Sequence, residues 1–137
     1  MGLKLTAVID GASRGNPGDS AIGVLVRDED GREVLRISRT IGSTTNNVAE
    51  YTALITCLES LKDYKIEELT IKTDSQLMAR QLMGFYKVRD FKLKALFQKV
   101  RELIQEAKFP VHIENVSRTE TKEADQLANQ ALNLAGM

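Results

Sequence analysis

The chain has 137 residues, 42% hydrophobic and 28% charged, a size and balance that suit one domain spanning 1–137 and leave no room for a second. Its 19 basic and 19 acidic residues cancel, so no global field draws it to nucleic acid, and any attraction to phosphate has to come from a local patch. The single Cys57 excludes an internal disulfide, and the lack of an apolar leader or long apolar run predicts a soluble cytoplasmic protein, monomeric and without a membrane partner.

Leu3 to Asp10 reads as a strand with Asp10 at its end, followed by a glycine-rich bend in which Gly15, Asn16, Pro17 and Gly18 supply turn chemistry. Ile22 to Arg27 and Glu33 to Thr40 are two further strands, and the Asp-Gly closing the stretch between them marks an antiparallel hairpin. From Asn46 the period changes. Tyr51, Leu54, Ile55, Leu58 and Leu61 recur at helical spacing after the cap-rich Ser43 to Asn47, which places Glu50 in the opening turn. Glu67 to Thr73 is a short apolar strand ended by Asp74, and Asp74-Ser75 offers a cap for a helix through Leu77, Met78 and Leu82. A longer helix runs from about Phe91 to Ala107 with Leu93, Phe97, Val100 and Ile104 on one stripe. After the break at Pro110, Val111 to Val116 is the last strand, and Ala124, Leu127, Ala128, Ala131 and Leu132 trace a closing helix that carries Asp125 early on. A hairpin followed by alternating helices and strands predicts an α/β fold with a mixed sheet and flanking helices, where sites gather at strand ends.

Four carboxylates stand in distinctive contexts: Asp10 in IDGASRGNPG, Glu50 in TTNNVAEY, Asp74 in IKTDSQL and Asp125 in KEADQLAN. Magnesium wants oxygen ligands in octahedral geometry and is usually held by a few carboxylates, water and substrate phosphate, so four acids suit two ions. Two ions can activate a water and stabilise the leaving oxygen when a phosphodiester is displaced in line. Taken singly, each acid has a plain account: Asp74 as a cap, Glu50 and Asp125 as favourable charges in first turns. Asp10 resists that treatment, because an acid directly after Ala7-Val8-Ile9 on a central strand is costly if buried without a cation or hydrogen bonds.

The stretches DGASRGNPG, TTNNVAEY, TDSQL and EADQLAN, in this order and spacing over nearly the whole chain, resemble ribonuclease H type 1. The resemblance implies a five-stranded mixed sheet with flanking helices. It implies an endonuclease that cuts the RNA strand of an RNA/DNA hybrid, leaving 5′-phosphate and 3′-hydroxyl ends without sequence preference. Asp10, Glu50, Asp74 and Asp125 would be its catalytic metal ligands, holding two Mg2+ ions that Mn2+ can replace. Gly11, Asn16, Thr45, Asn46 and Gln76 would touch the hybrid, and small polar groups of this kind suit a reader of backbone and 2′-hydroxyl.

The chain departs from the family pattern twice. It lacks the basic helix-loop insertion that many bacterial relatives carry after the third acid, and the loop Ser117 to Glu123 has no histidine. The lone His112 falls inside the last strand, a surface or packing position rather than a catalytic one. Arg118 is the candidate in its place, to touch phosphate or stabilise charge, with Glu120 a second candidate for moving a proton. Between Arg80 and Lys108 eight cations face Asp90, Glu102 and Glu106, and Phe85, Tyr86 and Phe91 are interleaved. This stretch reads either as a grip on the DNA strand or as a solvated helix face over core aromatics. Three readings of the whole remain: a hybrid nuclease, a binding module without turnover, and a metal nuclease or phosphotransferase for another substrate.

Overall fold

The computed structural model describes residues 2–136. In chain order the elements are β1 (Leu3–Gly15), β2 (Gly18–Arg27), β3 (Glu33–Thr44), α1 (Asn46–Ser60), β4 (Ile66–Thr73), α2 (Gln76–Leu82), α3 (Phe91–Glu106), β5 (Val111–Asn115) and α4 (Lys122–Ala135). The strands form one mixed sheet in the order β3-β2-β1-β4-β5. The first three pair antiparallel as a meander, and β4 and β5 add in parallel through helical crossovers. This is the five-stranded α/β architecture that the pattern predicted.

Period-two alternation divides the sheet between two layers. Leu5, Ala7 and Ile9 of β1, Ile22, Val24 and Val26 of β2, and Leu69 and Ile71 of β4 face α1 and α3, where Tyr51, Leu54, Leu58, Val100 and Leu103 complete the main core. On the other face Ala21 meets Ala128, Ala131 and Leu132 of α4 in a smaller cluster. The small side chains at this second interface let α4 lie close across β1, β2 and β3.

Two glycines carry that closeness further. A Cβ on Gly23 would come within 1.9 Å of the Ala124 carbonyl oxygen, and one on Gly11 within 2.3 Å of the Ala49 carbonyl carbon. Gly23 pairs with Asp10, so its neighbour Gly11 faces the opposite side. A helix backbone is thus pressed onto each face of the sheet beside Asp10.

Three local expectations are corrected. β1 does not stop at Asp10 but continues to Gly15, because Gly11 to Gly15 remain paired with β2 and the turn comes only at Gly15–Gly18, where Gly15 takes a φ of 107°. Glu50 is the fifth residue of α1, past its first turn, since Thr45 is the N-cap and accepts from the Val48 N–H. Of the Asp74-Ser75 pair it is Ser75 that caps α2, accepting from the Met78 N–H, which leaves the Asp74 carboxylate for other work.

Candidate metal centre

The site exists because β1 has unequal neighbours. Its parallel pairing with β4 ends at Val8 and Lys72, while its antiparallel pairing with β2 runs on for the rest of the strand. Asp10 therefore lies just beyond the end of β4, where Asp74 follows Thr73. Gly11 admits α1 and with it Glu50, and Gly23 admits α4 and with it Asp125. Four acids scattered along the chain meet at one end of the sheet.

One carboxylate oxygen each from Asp10, Glu50 and Asp74 lie within 4.8 Å of one another. Asp10 and Glu50 are buried and Asp74 is half-buried. Asp125 stands within hydrogen-bonding reach of Asp10. The Gly11 N–H donates to Glu50 Oε1 at 2.5 Å, and the Asn129 amide donates to Asp125 Oδ1 at 3.2 Å and to the Asp125 carbonyl at 3.0 Å. Burial first, then the charge of Glu50 and the nearness of Asp125 and Asp74, push the Asp10 carboxyl up to about 9. Burial likewise raises Glu50 to about 8, against the pull of the Gly11 N–H. Arg118 is the cation that touches the cluster, its Nε 3.5 Å from Asp74 Oδ2, on a side chain 90% exposed. Such an arm screens Asp74 but neutralises neither Asp10 nor Glu50.

The other expected residues collect around the same end. Asn16, at the tip of the β1–β2 hairpin, accepts from the Asn46 N–H at 3.0 Å and so ties the tip to the start of α1. Thr45 caps that helix, Gln76 is the exposed first residue of α2, and Gly11 adjoins Asp10. Arg118 belongs to a short loop closed by the Thr121 N–H and hydroxyl, both donating to the Arg118 carbonyl, and by an ion pair from Glu120 to Lys72 at 3.3 Å. Glu120 is thereby engaged with Lys72 of β4. His112 is exposed on β5 and lies 3.5 Å from Glu68, outside the acid cluster.

Sequence reasoning did not single out Asn129, Gly23 or Lys72. Asn129 had a signal in its i+4 spacing from Asp125. Gly23 had a fainter one, an isolated glycine inside a strand. Lys72 had none, because its partner lies 48 positions away.

Residues 8–131 match the model of the reverse transcriptase-like family. The ribonuclease HI of Halobacterium salinarum is 40% identical over 96% of this chain and 66% of its own length. The crystal structure of RNase H1 from that archaeon superposes with a TM-score of 0.89 at 40% identity, covering 95% of this chain and 98% of that one. The chain belongs to the ribonuclease H type 1 family. A second type 1 structure, LC11-RNase H1 in complex with RNA/DNA hybrid, superposes with a TM-score of 0.92 at 37% identity over 97% of this chain and 99% of that one. Family membership also extends to larger proteins, since a bifunctional protein of Mycobacterium tuberculosis is 36% identical over 97% of this chain but only 36% of its own length. The chain spans about two thirds of the curated archaeal ribonuclease H and about one third of the mycobacterial protein.

Proposed function

We propose that this protein is a single ribonuclease H domain over 1–137 that hydrolyses the RNA strand of RNA/DNA hybrids endonucleolytically and without sequence preference, leaving 5′-phosphate and 3′-hydroxyl ends. The observation that carries this reading is the convergence of Asp10, Glu50 and Asp74, with Asp125 beside them, in a type 1 ribonuclease H fold. Support for the substrate comes from LC11-RNase H1, a type 1 relative whose structure holds an RNA/DNA hybrid.

The donor set fits divalent metal. All four groups are oxygen donors, which suits Mg2+ or Mn2+ and not a softer ion. Two are buried carboxyls whose proton affinity is raised by burial and by neighbouring acids, Glu50 acting on Asp10 and Asp74 on both, the state expected of acids that lack their cation. Asp10, Glu50, Asp74 and Asp125 are the residues that would hold the metal, two ions per site. Bound there, divalent metal supplies an acidified water and charge stabilisation at the leaving 3′-oxygen.

The chain's own groups do the rest. The Gly11 N–H fixes the direction of Glu50, and the Asn129 amide fixes that of Asp125. Arg118 lies beside the site on a solvent-exposed side chain and can meet a phosphate oxygen, the role a loop histidine would otherwise fill. Beside Gly11, the residues Asn16, Thr45, Asn46 and Gln76 present small polar side chains that can read the phosphate backbone and 2′-hydroxyl of the hybrid. The protein is read as a cytoplasmic monomer; among the described residues no helix is long and apolar enough to cross a membrane.

The test is cleavage of an end-labelled RNA/DNA hybrid with Mg2+ or Mn2+, beside single-stranded RNA, double-stranded RNA and double-stranded DNA, with wild type and Asp10→Asn. Cleavage confined to the RNA of the hybrid and absent in the variant is the expected result. Survival of the hybrid with both metals would overturn the reading.

A further inference from the structure

Large hydrophobic side chains are exposed at only a few described positions, and four of them fall within nine residues: Met83, Phe85, Tyr86 and Phe91. Phe85 is 75% exposed and Phe91 90%, so they are not the core aromatics that the sequence left open as an alternative. A cluster of this kind on a soluble surface marks a place where something docks. Its setting says what. In a chain of zero net charge, the same stretch carries Arg80, Lys87, Arg89 and Lys92. Its one acid, Asp90, has its carboxylate occupied in capping α3 through the Leu93 N–H at 2.9 Å. Arg80 packs over the Tyr86 ring at 5.4 Å and donates to its hydroxyl at 2.9 Å, which ties the loop to α2.

The loop stands at the acid-bearing end of the molecule. Gln81 near the end of α2 accepts a 2.6 Å hydrogen bond from Tyr51, the neighbour of Glu50 in α1. At the opposite end, Leu58 of α1 and Leu103 of α3 line one cleft with Ile66 at the start of β4, so α1 and α3 run in the same direction and both begin toward the acids. Phe91 is the first residue of α3.

Exposed phenylalanine rings flanked by cations are the chemistry of base stacking on a charged backbone, and this requires unpaired bases, because bases inside a duplex already stack on one another. We propose that the segment from Met83 to Lys92 is a platform for single-stranded nucleic acid, on which Phe85 and Phe91 stack unpaired bases while Lys87, Arg89 and Lys92 neutralise phosphates. Resting on the hybrid-nuclease reading, its ligand is the single-stranded extension of a hybrid lying in the site, and the enzyme favours hybrid next to a junction over blunt hybrid.

The experiment uses fluorescence anisotropy with the full chain carrying Asp10→Asn, so that nothing is cut, on a blunt RNA/DNA hybrid and on hybrids of the same length with a single-stranded DNA or RNA tail. The expected result is affinity about tenfold or more greater for a tailed hybrid, a ratio that falls to near one when Phe85→Ala and Phe91→Ala are added. The DNA-tailed and RNA-tailed arms identify which strand is held. Equal affinity for blunt and tailed hybrids in the parent protein, or a ratio unchanged by the double substitution, overturns the platform and leaves the exposed rings to a protein partner. Circular dichroism confirms that the variants fold, which their exposure favours. Cleavage by the protein with its native Asp10 separates the two readings: a tail effect without turnover sinks the nuclease and keeps the platform, whereas turnover without a tail effect does the reverse.

Discussion

Two acids of the cluster, Glu50 and Asp125, are each aimed by a hydrogen bond from a group with no charge of its own, and Asn129 is the clearer case. Its amide grips both the carbonyl and the carboxylate of Asp125, so it sets the direction of a carboxylate that α4 alone would leave free to rotate. Replacing Asn129 by Ala is expected to raise the Mg2+ concentration needed for half-maximal cleavage about tenfold, with saturating turnover far less affected; an unchanged metal requirement in a magnesium titration would refute this role. Arg118 is proposed to act differently, on the substrate's charge rather than on a carboxylate of the cluster. Arg118→Ala is expected to lower kcat by about tenfold or more while leaving the metal requirement in place, measured by steady-state cleavage at several Mg2+ concentrations. Asp74 was legible as an acid but not as an unoccupied one; only the observation that Ser75 takes the cap of α2 removes the alternative account of it.

Among the elements, the decisive contacts are two helices lying unusually close to the sheet. Gly23 faces the backbone of α4 and Gly11 that of α1, and these helices bring Asp125 and Glu50 to the strand that holds Asp10. Gly23→Ala places a methyl group against a carbonyl oxygen that has no flexible side chain to move aside. A loss of about 1–3 kcal/mol is expected, as for other overpacked cores, with Asp125 displaced; urea unfolding and a magnesium titration of the variant would measure the two effects. The order of the elements could be read from the chain, because a short apolar run over Ile22 to Val26 and helical spacing over Tyr51 to Leu58 are strong signals. The length of β1 could not. Glycine, serine and asparagine from Gly11 to Gly18 carry turn chemistry, and most of this stretch is nevertheless held extended by pairing with β2, a tertiary override of local preference.

At the scale of the molecule, burying acids together makes the metal-free protein sensitive to pH. Asp10 and Glu50 are raised to about 9 and about 8, so the folded chain binds protons more tightly there than the unfolded chain. Stability without metal is then greatest below the ordinary carboxylate range near 4 and falls as pH rises toward about 9. Melting temperatures in a chelator should decline over that window, Asp10→Asn should flatten the decline, and Mg2+ should reverse it by binding the folded state; a melting temperature that stays level or climbs with pH would contradict the account. Composition, periodicity and the four acidic motifs determined the fold class, the chain order of its elements and the identity of the acids, since local pattern and residue chemistry are properties of the sequence itself. Tertiary structure alone decided that Asp10 lies within a strand rather than at its end, that Gly23 seats α4, that Lys72 holds the loop of Arg118 through Glu120, and that Phe85 and Phe91 face solvent. These depend on which distant segments meet, and partners as far apart as Gly11 and Glu50, 39 positions, or Lys72 and Glu120, 48 positions, leave no periodic trace along the chain.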